Sequence, residues 1–171
     1  EWFDNEDMFR GVGIGGGDFS VRYAVLTGSS VITNYGLSDE ERKININTAD
    51  KPLLEAVFAA CGDVDSAAAT ALAESIIDWR DTDDDVLTQG AENSYYASLD
   101  PPYECRNGRF QKLSEALLVK GVTPQIFDAV APYMTVYGDG KVNINSAAKP
   151  VLRCVAQAGG AEEDVAVSLA G

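Results

Sequence analysis

Oxygen-bearing side chains are concentrated between residues 81 and 93. Carboxylate and amide oxygens are the ligands that Ca²⁺ prefers in proteins. Counted from Asp81, such side chains fall at the first, third, fifth, ninth and twelfth places of a window, which is the spacing of an EF-hand loop. The sequence therefore contains a candidate calcium site, and its candidate ligands are Asp81, Asp83, Asp85, Glu92 and Asn93.

This window differs from an EF-hand where the loop must turn sharply. Val86 stands at the sixth place, where an EF-hand needs glycine, and Asp84 adds a charge that has no role in that scheme. We interpret the stretch as an irregular acidic loop that chelation would close by neutralising clustered carboxylates. The alternative is a solvated acidic turn that binds no ion, and the residues alone leave both interpretations open.

The composition argues against catalysis and against nucleic-acid binding. The chain has no histidine, and most acid–base catalysis uses imidazole. The formal net charge of −14 opposes binding to polyphosphates. We therefore expect a non-enzymatic protein. Three cysteines (Cys61, Cys105 and Cys154) have no metal-type spacing, so the chain holds either one disulfide and one free thiol or three free thiols.

Hydrophobic periodicity predicts a small β-part followed by helices. Residues 18–35 alternate as a hairpin with a turn at 27–30, and the glycine-rich stretch 11–17 is interpreted as a flexible linker. Helices are predicted for residues 52–62, 66–80, 113–119 and 146–157, and for a segment that begins at Pro124 after an N-cap at Thr123. A further helical pattern begins near residue 161, so we expect the natural protein to continue.

A repeated motif begins two of these helices. KININTAD at 43–50 returns as KVNINSAA at 141–148, and each copy is followed by Lys-Pro and an aliphatic pair. We interpret both copies as strand-to-helix turns in which Asn side chains bond nearby backbone and Thr48 or Ser146 caps the helix. The motif also resembles helix-hairpin-helix DNA-binding modules. A degenerate DNA-binding module is therefore the alternative function, although the corresponding turn CGDVD is acidic.

An ordered series of segments resembles one family over nearly the whole chain. The segments are YGLSDEERKININTAD, IIDWRDTDDD, GAENSYY, DPPYECRNGRF and LLVKGVTPQIFDAVAPYMTVYGDGKVNIN. In this order they resemble the periplasmic region of general secretion pathway protein K, the family of minor pseudopilins in type II secretion systems. The resemblance implies a calcium-binding subunit at the pseudopilus tip. It also implies inner-membrane anchoring in the full-length protein and assembly with the I and J minor pseudopilins.

The same resemblance implies the fold class and the domain plan. We expect a mainly α (α+β) protein in which two helix-hairpin-helix or SAM-like subdomains form a large helical domain attached to a small pilin-type β-part. The predicted domains are residues 1–42 for the β-hairpin segment, 43–112 for the first helical subdomain and 113–171 for the second, whose repeat starts at 141–152. The periplasmic location that the resemblance implies favours one disulfide, and we predict that Cys105 is one of its two cysteines.

Overall fold

The structure is a computed structural model that describes residues 4–27 and 30–160. The chain divides into two compact units, Glu1–Glu40 and Glu41–Gly171. Its architecture is mixed α+β, with small sheets and a predominantly helical second unit. Among the described residues, no helix has both the length and the apolarity needed to cross a bilayer.

Within its described residues, the first unit contains one short helix and two β-hairpins. Its elements are α1 (Glu6–Phe9), β1 (Val12–Ile14), β2 (Gly17–Phe19), β3 (Arg22–Thr27) and β4 (Ser30–Tyr35). Strand β3 pairs antiparallel with β4, with Tyr23 opposite Asn34, which confirms the predicted hairpin from residue 22 onwards. Asp18 and Phe19, predicted as part of its first strand, belong to β2 instead. The tip of the hairpin's predicted turn lies outside the described residues.

The flexible-linker interpretation of residues 11–17 is wrong. Strands β1 and β2 pair antiparallel there, with Gly13 opposite Asp18. Gly11 and Gly15 adopt positive φ values of 61° and 58°, which side chains rarely tolerate. Gly15 therefore permits the tight turn between the two strands, and Gly11 permits the bend that precedes β1.

The second unit is built around a helical core. Its elements follow a short 3-10 turn at Glu40–Arg42, and they are β5 (Ile44–Asn45), α2 (Lys51–Cys61), α3 (Ser66–Arg80), α4 (Asn93–Tyr96), a 3-10 helix (Leu113–Leu118), α5 (Pro124–Val130), a 3-10 turn (Ala131–Tyr133), β6 (Met134–Thr135) and α6 (Lys149–Ala158). Helix α2 packs against α3, α5 and α6, with Leu54 and Val57 fully buried. The predicted domain boundary after residue 112 stays a prediction.

Local signals predicted most helices correctly but not all of their caps. Helices α2 and α3 occupy the predicted ranges, and Thr123 caps α5 by accepting a hydrogen bond from Ile126 N at 3.2 Å. The Thr48 cap was wrong, because the carboxylate of Asp50 accepts the bond from Leu53 N. The helix predicted at 113–119 is a 3-10 helix over Leu113–Leu118, and α6 begins three residues after Ser146. The pattern from residue 161 lies outside the described residues.

The first Asn-containing turn is tied to distant parts of the second unit. Strand β5 pairs in parallel with β6, and the backbone N–H of Ile46 donates to Thr135 O at 2.9 Å. Asn45 Nδ2 donates to the carbonyls of Tyr137 and Gly138 at 2.9 and 3.1 Å. These bonds hold the closing strand against the start of the unit.

Asn47 makes a reciprocal pair of hydrogen bonds with the backbone of Phe110. Its Oδ1 accepts from Phe110 N at 2.7 Å, and its Nδ2 donates to Phe110 O at 3.0 Å. The predicted local bond is also confirmed, because Asn47 N donates to Asn45 Oδ1 at 2.9 Å. One side chain therefore satisfies both backbone polar groups of a buried residue far away in sequence.

The second copy of the motif has the same local turn but a different environment. Asn145 N donates to Asn143 Oδ1 at 3.1 Å, as Asn47 N does to Asn45 in the first copy. However, Ile144 is 68% exposed, whereas its equivalent Ile46 is 1% exposed. The repeat therefore encodes the turn itself, and the long-range pairing depends on what surrounds each copy.

We predict that Asn47→Ala lowers the free energy of unfolding by about 1–3 kcal/mol, because it leaves a buried donor and acceptor of Phe110 unsatisfied. The matched control is Asn145→Ala in the exposed second copy, for which we expect a loss of about 0.5 kcal/mol or less. Urea denaturation followed by circular dichroism measures both. Equal losses for the two variants would contradict the structural role given to the long-range pairing.

Candidate metal centre

The C-terminal half of α3 presents three carboxylates on one face. Glu74, Asp78 and Asp81 are separated by four and three residues, and side chains at these spacings are neighbours on a helix surface. Glu74 is 5% exposed and Asp78 is fully buried. Asp81 follows directly after the last helical residue. The helix therefore carries buried negative charge towards the acidic loop.

Two of these carboxylates fold the loop back onto α3. Glu74 Oε2 accepts from Gln89 N at 2.5 Å, and Asp78 Oδ2 accepts from Leu87 N at 3.2 Å. Lys51 Nζ donates to Glu74 Oε1 at 2.6 Å. The bond from Lys51 and then the bond from Gln89 N lower the pKa of Glu74. Glu74 is therefore satisfied and acts as a structural group of the loop.

The loop brings Glu92 next to Asp78 and Asp81. Each of the three offers one carboxylate oxygen, and these oxygens all lie within 4.8 Å of one another. Glu92 is 3% exposed, yet both of its carboxylate oxygens have no hydrogen-bond partner. Oδ1 of Asp81 is buried and unpartnered as well. Unsatisfied buried carboxylate oxygens are costly unless a cation approaches them.

Burial and neighbouring charge raise the pKa of every member of this cluster. Burial, followed by repulsion from the neighbouring acids Asp78, Asp81, Asp84 and Asp83, raises the pKa of Glu92 to about 7. Burial, followed by repulsion from Asp83 and Asp78, raises the pKa of Asp81 to about 6. Burial also raises the pKa of Asp78, although backbone hydrogen bonds oppose that change.

Arg80, the basic residue nearest to the cluster in sequence, binds backbone carbonyls and not these carboxylates. Arg80 adjoins Asp81, but its guanidinium NH1 donates to the carbonyl of Ile46 and its NH2 donates to Ala49 O at 2.6 Å. The positive charge of Arg80 lowers the pKa of Asp81, but burial and the neighbouring acids raise that pKa by more. The cluster of Asp78, Asp81 and Glu92, hereafter the acid cluster, therefore keeps an uncompensated negative character.

The structure places the predicted ligands in two groups. Asp81 and Glu92 belong to the acid cluster, whereas Asp83, Asp85 and Asn93 are exposed and lie outside it. Asp83 Oδ1 accepts from Asp85 N at 3.0 Å, and Asn93 Oδ1 accepts from Cys105 N at 3.1 Å. Ligation by these three residues stays a prediction.

Sequence reasoning missed Asp78. It lies inside the predicted helix 66–80, so it was assigned to the helix and excluded from the loop. The available signal was its spacing, because Asp78 precedes Asp81 by three residues and shares its helix face. When a helix face packs against an acidic loop, an acidic residue on that face is a candidate ligand even if it precedes the loop motif in sequence.

The donor set fits a hard divalent cation. All the groups of the acid cluster are carboxylates, which suit Ca²⁺ or Mg²⁺, and the chain has no histidine to favour a transition metal. The unpartnered oxygens of Glu92 and Asp81 have the lone pairs that such an ion would use. Three clustered carboxylates with little positive charge beside them are chemically suited to bind a cation.

Gly90 is required for the close approach of the loop to α3. A Cβ atom at this position would lie 2.0 Å from Oδ2 of Asp78. Asp78 is fully buried and also accepts hydrogen bonds from the backbone of the loop, so it has little room to move. A side chain at residue 90 would therefore displace either Asp78 or the loop.

We predict that Gly90→Ala destabilises the protein by about 1–3 kcal/mol, as expected for overpacking at a buried position. Gly108→Ala is the matched control, because the nearest atom to a Cβ there is Arg106 O at 3.8 Å. Thermal denaturation measures both variants. If Gly90→Ala melts at the wild-type temperature, the loop does not pack on Asp78 as described.

Sequence comparison relates the chain to a secretion family. Residues 35–139 match the family described as Type II secretion system (T2SS), protein K. The type II secretion system protein K of Aeromonas hydrophila is 34% identical over 87 residues, which cover 49% of this chain and 26% of that protein. The putative type II secretion system protein K of Escherichia coli K12 is 34% identical over 74 residues, covering 43% and 23%. The chain thus spans about a quarter of these relatives.

A solved structure shares the fold. It is the crystal structure of the GspK-GspI-GspJ complex from the type 2 secretion system of enterotoxigenic Escherichia coli. The match has a TM-score of 0.65 and 22% identity, and it covers 80% of this chain and 54% of that chain. The family match spans more than half of the sequence, and the chain belongs to the type II secretion system protein K family.

Proposed function

We propose that this chain is part of a minor pseudopilin, a non-enzymatic subunit at the tip of the type II secretion pseudopilus that acts in protein secretion. The observation that carries the proposal is the match of residues 35–139 to the protein K family. The solved relative is named as a GspK-GspI-GspJ complex, so the I and J minor pseudopilins are the proposed partners of this chain. Neither comparison supports the DNA-binding alternative, and the net charge of −14 opposes it.

The first unit has features that suit assembly with other subunits. Strands β3 and β4 form a sheet of two strands, so within the described residues each has an edge that pairs with no further strand. Val31 and Ile32 on β4 are 65% and 48% exposed. Unpaired edges and exposed apolar side chains are typical of surfaces that another chain covers. We propose that this hairpin belongs to a pilin-type scaffold that contacts the I and J subunits.

Two finer statements are also part of the proposal. The two Asn-containing turns at 43–50 and 141–148 each precede a helix that begins Lys-Pro, which supports two helix-hairpin-helix or SAM-like subdomains in the second unit. The resemblance to secretion pseudopilins supports a periplasmic location with inner-membrane anchoring of the full-length protein.

We further propose that the acid cluster binds calcium. Asp78, Asp81 and Glu92 would hold the ion, and the predicted ligands Asp83, Asp85 and Asn93 would complete or flank the site. Support comes from the unpartnered buried oxygens of Glu92 and from the raised pKa values of Glu92 and Asp81, since both indicate carboxylates without a counter-charge. A bound cation supplies that charge and fixes the loop to α3.

We predict that millimolar calcium raises the melting temperature of chelator-treated protein, because an ion that binds only the native state stabilises it by mass action. The rise should be smaller at pH 5.5 than at pH 8. The pKa of Glu92 is about 7, so protons compete with calcium at the lower pH. Differential scanning fluorimetry with and without calcium measures the effect.

Variants separate the acid cluster from nonspecific charge effects. Asp78→Asn and Glu92→Gln should abolish the rise caused by calcium, while Asp128→Asn, at an exposed position on α5, should keep it. Asp85→Asn tests whether the exposed predicted ligands contribute. A melting temperature that calcium leaves unchanged at pH 8 would contradict the metal proposal without affecting the proposed role in assembly.

We predict that the periplasmic region of the full-length protein co-elutes with the soluble regions of its cognate I and J subunits on size exclusion. Val31→Asp or Ile32→Asp should reduce co-elution at least tenfold in apparent affinity, because a buried charge would replace an apolar contact. The control is Leu118→Asp, which changes an exposed leucine of the second unit. If wild type fails to co-elute, the function is wrong; if only Leu118→Asp disrupts assembly, the interface lies on the helices.

A further inference from the structure

Two of the three cysteines lie side by side in the second unit. Cys61 is the last residue of α2, and Cys154 lies in the middle of α6. These two helices pack against each other, and the two thiols are close enough that each shifts the pKa of the other. Cys154 is fully buried in the core, while Cys61 is half-buried and packs against that core. Neighbouring thiols on two packed helices are placed for a covalent link.

We propose that Cys61 and Cys154 form a disulfide that joins the C-terminal end of α2 to α6. A disulfide is about 2.05 Å long, so the two sulfurs must move closer together than two unbonded thiols lie. Cys61 ends its helix and is followed by Gly62, so a small adjustment of its backbone and χ1 is available at that point. The bond would close a loop of roughly 90 residues, and long loops lose the most unfolded-state entropy on closure.

The sequence-based choice of Cys105 as a disulfide member does not agree with this pairing. Cys105 is half-buried beside the acid cluster, where its Sγ lies 3.9 Å from the carbonyl oxygen of Asp78. Its backbone N–H is held by Asn93 at 3.1 Å. Its loop was expected to adjust to a partner, but the hydrogen bonds fix it next to α3. Cys105 is therefore assigned as the free thiol.

Thiol–disulfide exchange supplies the oxidation, and the oxidant is a small or protein-borne disulfide. The Cys61 thiolate attacks one sulfur of that disulfide, which releases one thiol and leaves Cys61 in a mixed disulfide. Cys154 then loses its proton, attacks the sulfur of Cys61 and releases the second thiol. Two protein thiols are oxidised and one disulfide is reduced. Interaction with Cys154 lowers the pKa of Cys61, and the Cys61 thiol is also the more accessible of the two. Both properties favour Cys61 as the first nucleophile.

The test uses the whole chain of residues 1–171 in a glutathione buffer that contains both reduced and oxidised forms. After denaturation and alkylation without reduction, mass spectrometry should show one alkylated cysteine, Cys105, and a peptide pair linked through Cys61 and Cys154. The oxidised protein should melt about 5–10 °C above the reduced protein. Three alkylated cysteines, or a linked peptide that contains Cys105, would overturn the proposal.

Single variants provide matched controls. Cys105→Ser should keep the linked peptide pair and the oxidation-dependent rise in melting temperature. Cys61→Ser should lose both and show two alkylated cysteines. A disulfide between Cys105 and Cys154 in Cys61→Ser would overturn the assignment of Cys105 as a fixed free thiol. Should Cys61→Ser fail to fold, the linkage found in Cys105→Ser still decides the pairing. Glutathione supplies the oxidant, so this outcome is independent of any role in secretion.

Discussion

The pairing of the first Asn-containing turn with distant backbone is the constraint on which the second unit depends. Asn45 and Asn47 satisfy carbonyl and N–H groups of residues 110, 137 and 138, which have no helix to satisfy them. Phe110 is buried, and backbone groups buried without partners cost more than most side-chain contacts gain. An amide side chain suits this task because it offers a donor and an acceptor in one plane. The turn thereby fixes where α2 begins and where strand β6 ends.

The same turn determines the electrostatics of the acid cluster. The carbonyls of Ile46 and Ala49 are satisfied by Arg80, so the guanidinium at the end of α3 is committed to the turn. Lys120 is similarly committed, because its ammonium donates to the carbonyls of Gln89 and Gly90 at 3.1 and 2.9 Å. Both cations stabilise backbone, and neither satisfies the buried oxygens of Glu92. The proposed calcium ion would complete a charge balance that the side chains leave open.

Sequence patterns predicted the local structure well because its causes are local. Apolar periodicity gave α2 and α3, and the Thr123-Pro124 pair gave the start of α5. The pairing of Asn47 with Phe110 was not predictable, since the two residues are 63 positions apart and carry no shared pattern. Ile46 and Ile144 show the limit most clearly, because equivalent residues of one repeat have opposite exposures. Asp78 was overlooked for a related reason: its helix is a local feature, but its meeting with Glu92 depends on the path of the loop.

Two separate closures act on the second unit if both proposals hold. The calcium site ties the loop of residues 81–92 to α3, whereas the Cys61–Cys154 bond ties α2 to α6. Neither closure is supplied by the chain alone, because one needs an external cation and the other an external oxidant. An oxidising compartment provides for the disulfide, and a calcium-containing one neutralises carboxylates that otherwise repel one another. If both proposals hold, such a unit would reach its full stability only where a cation and an oxidant are both supplied.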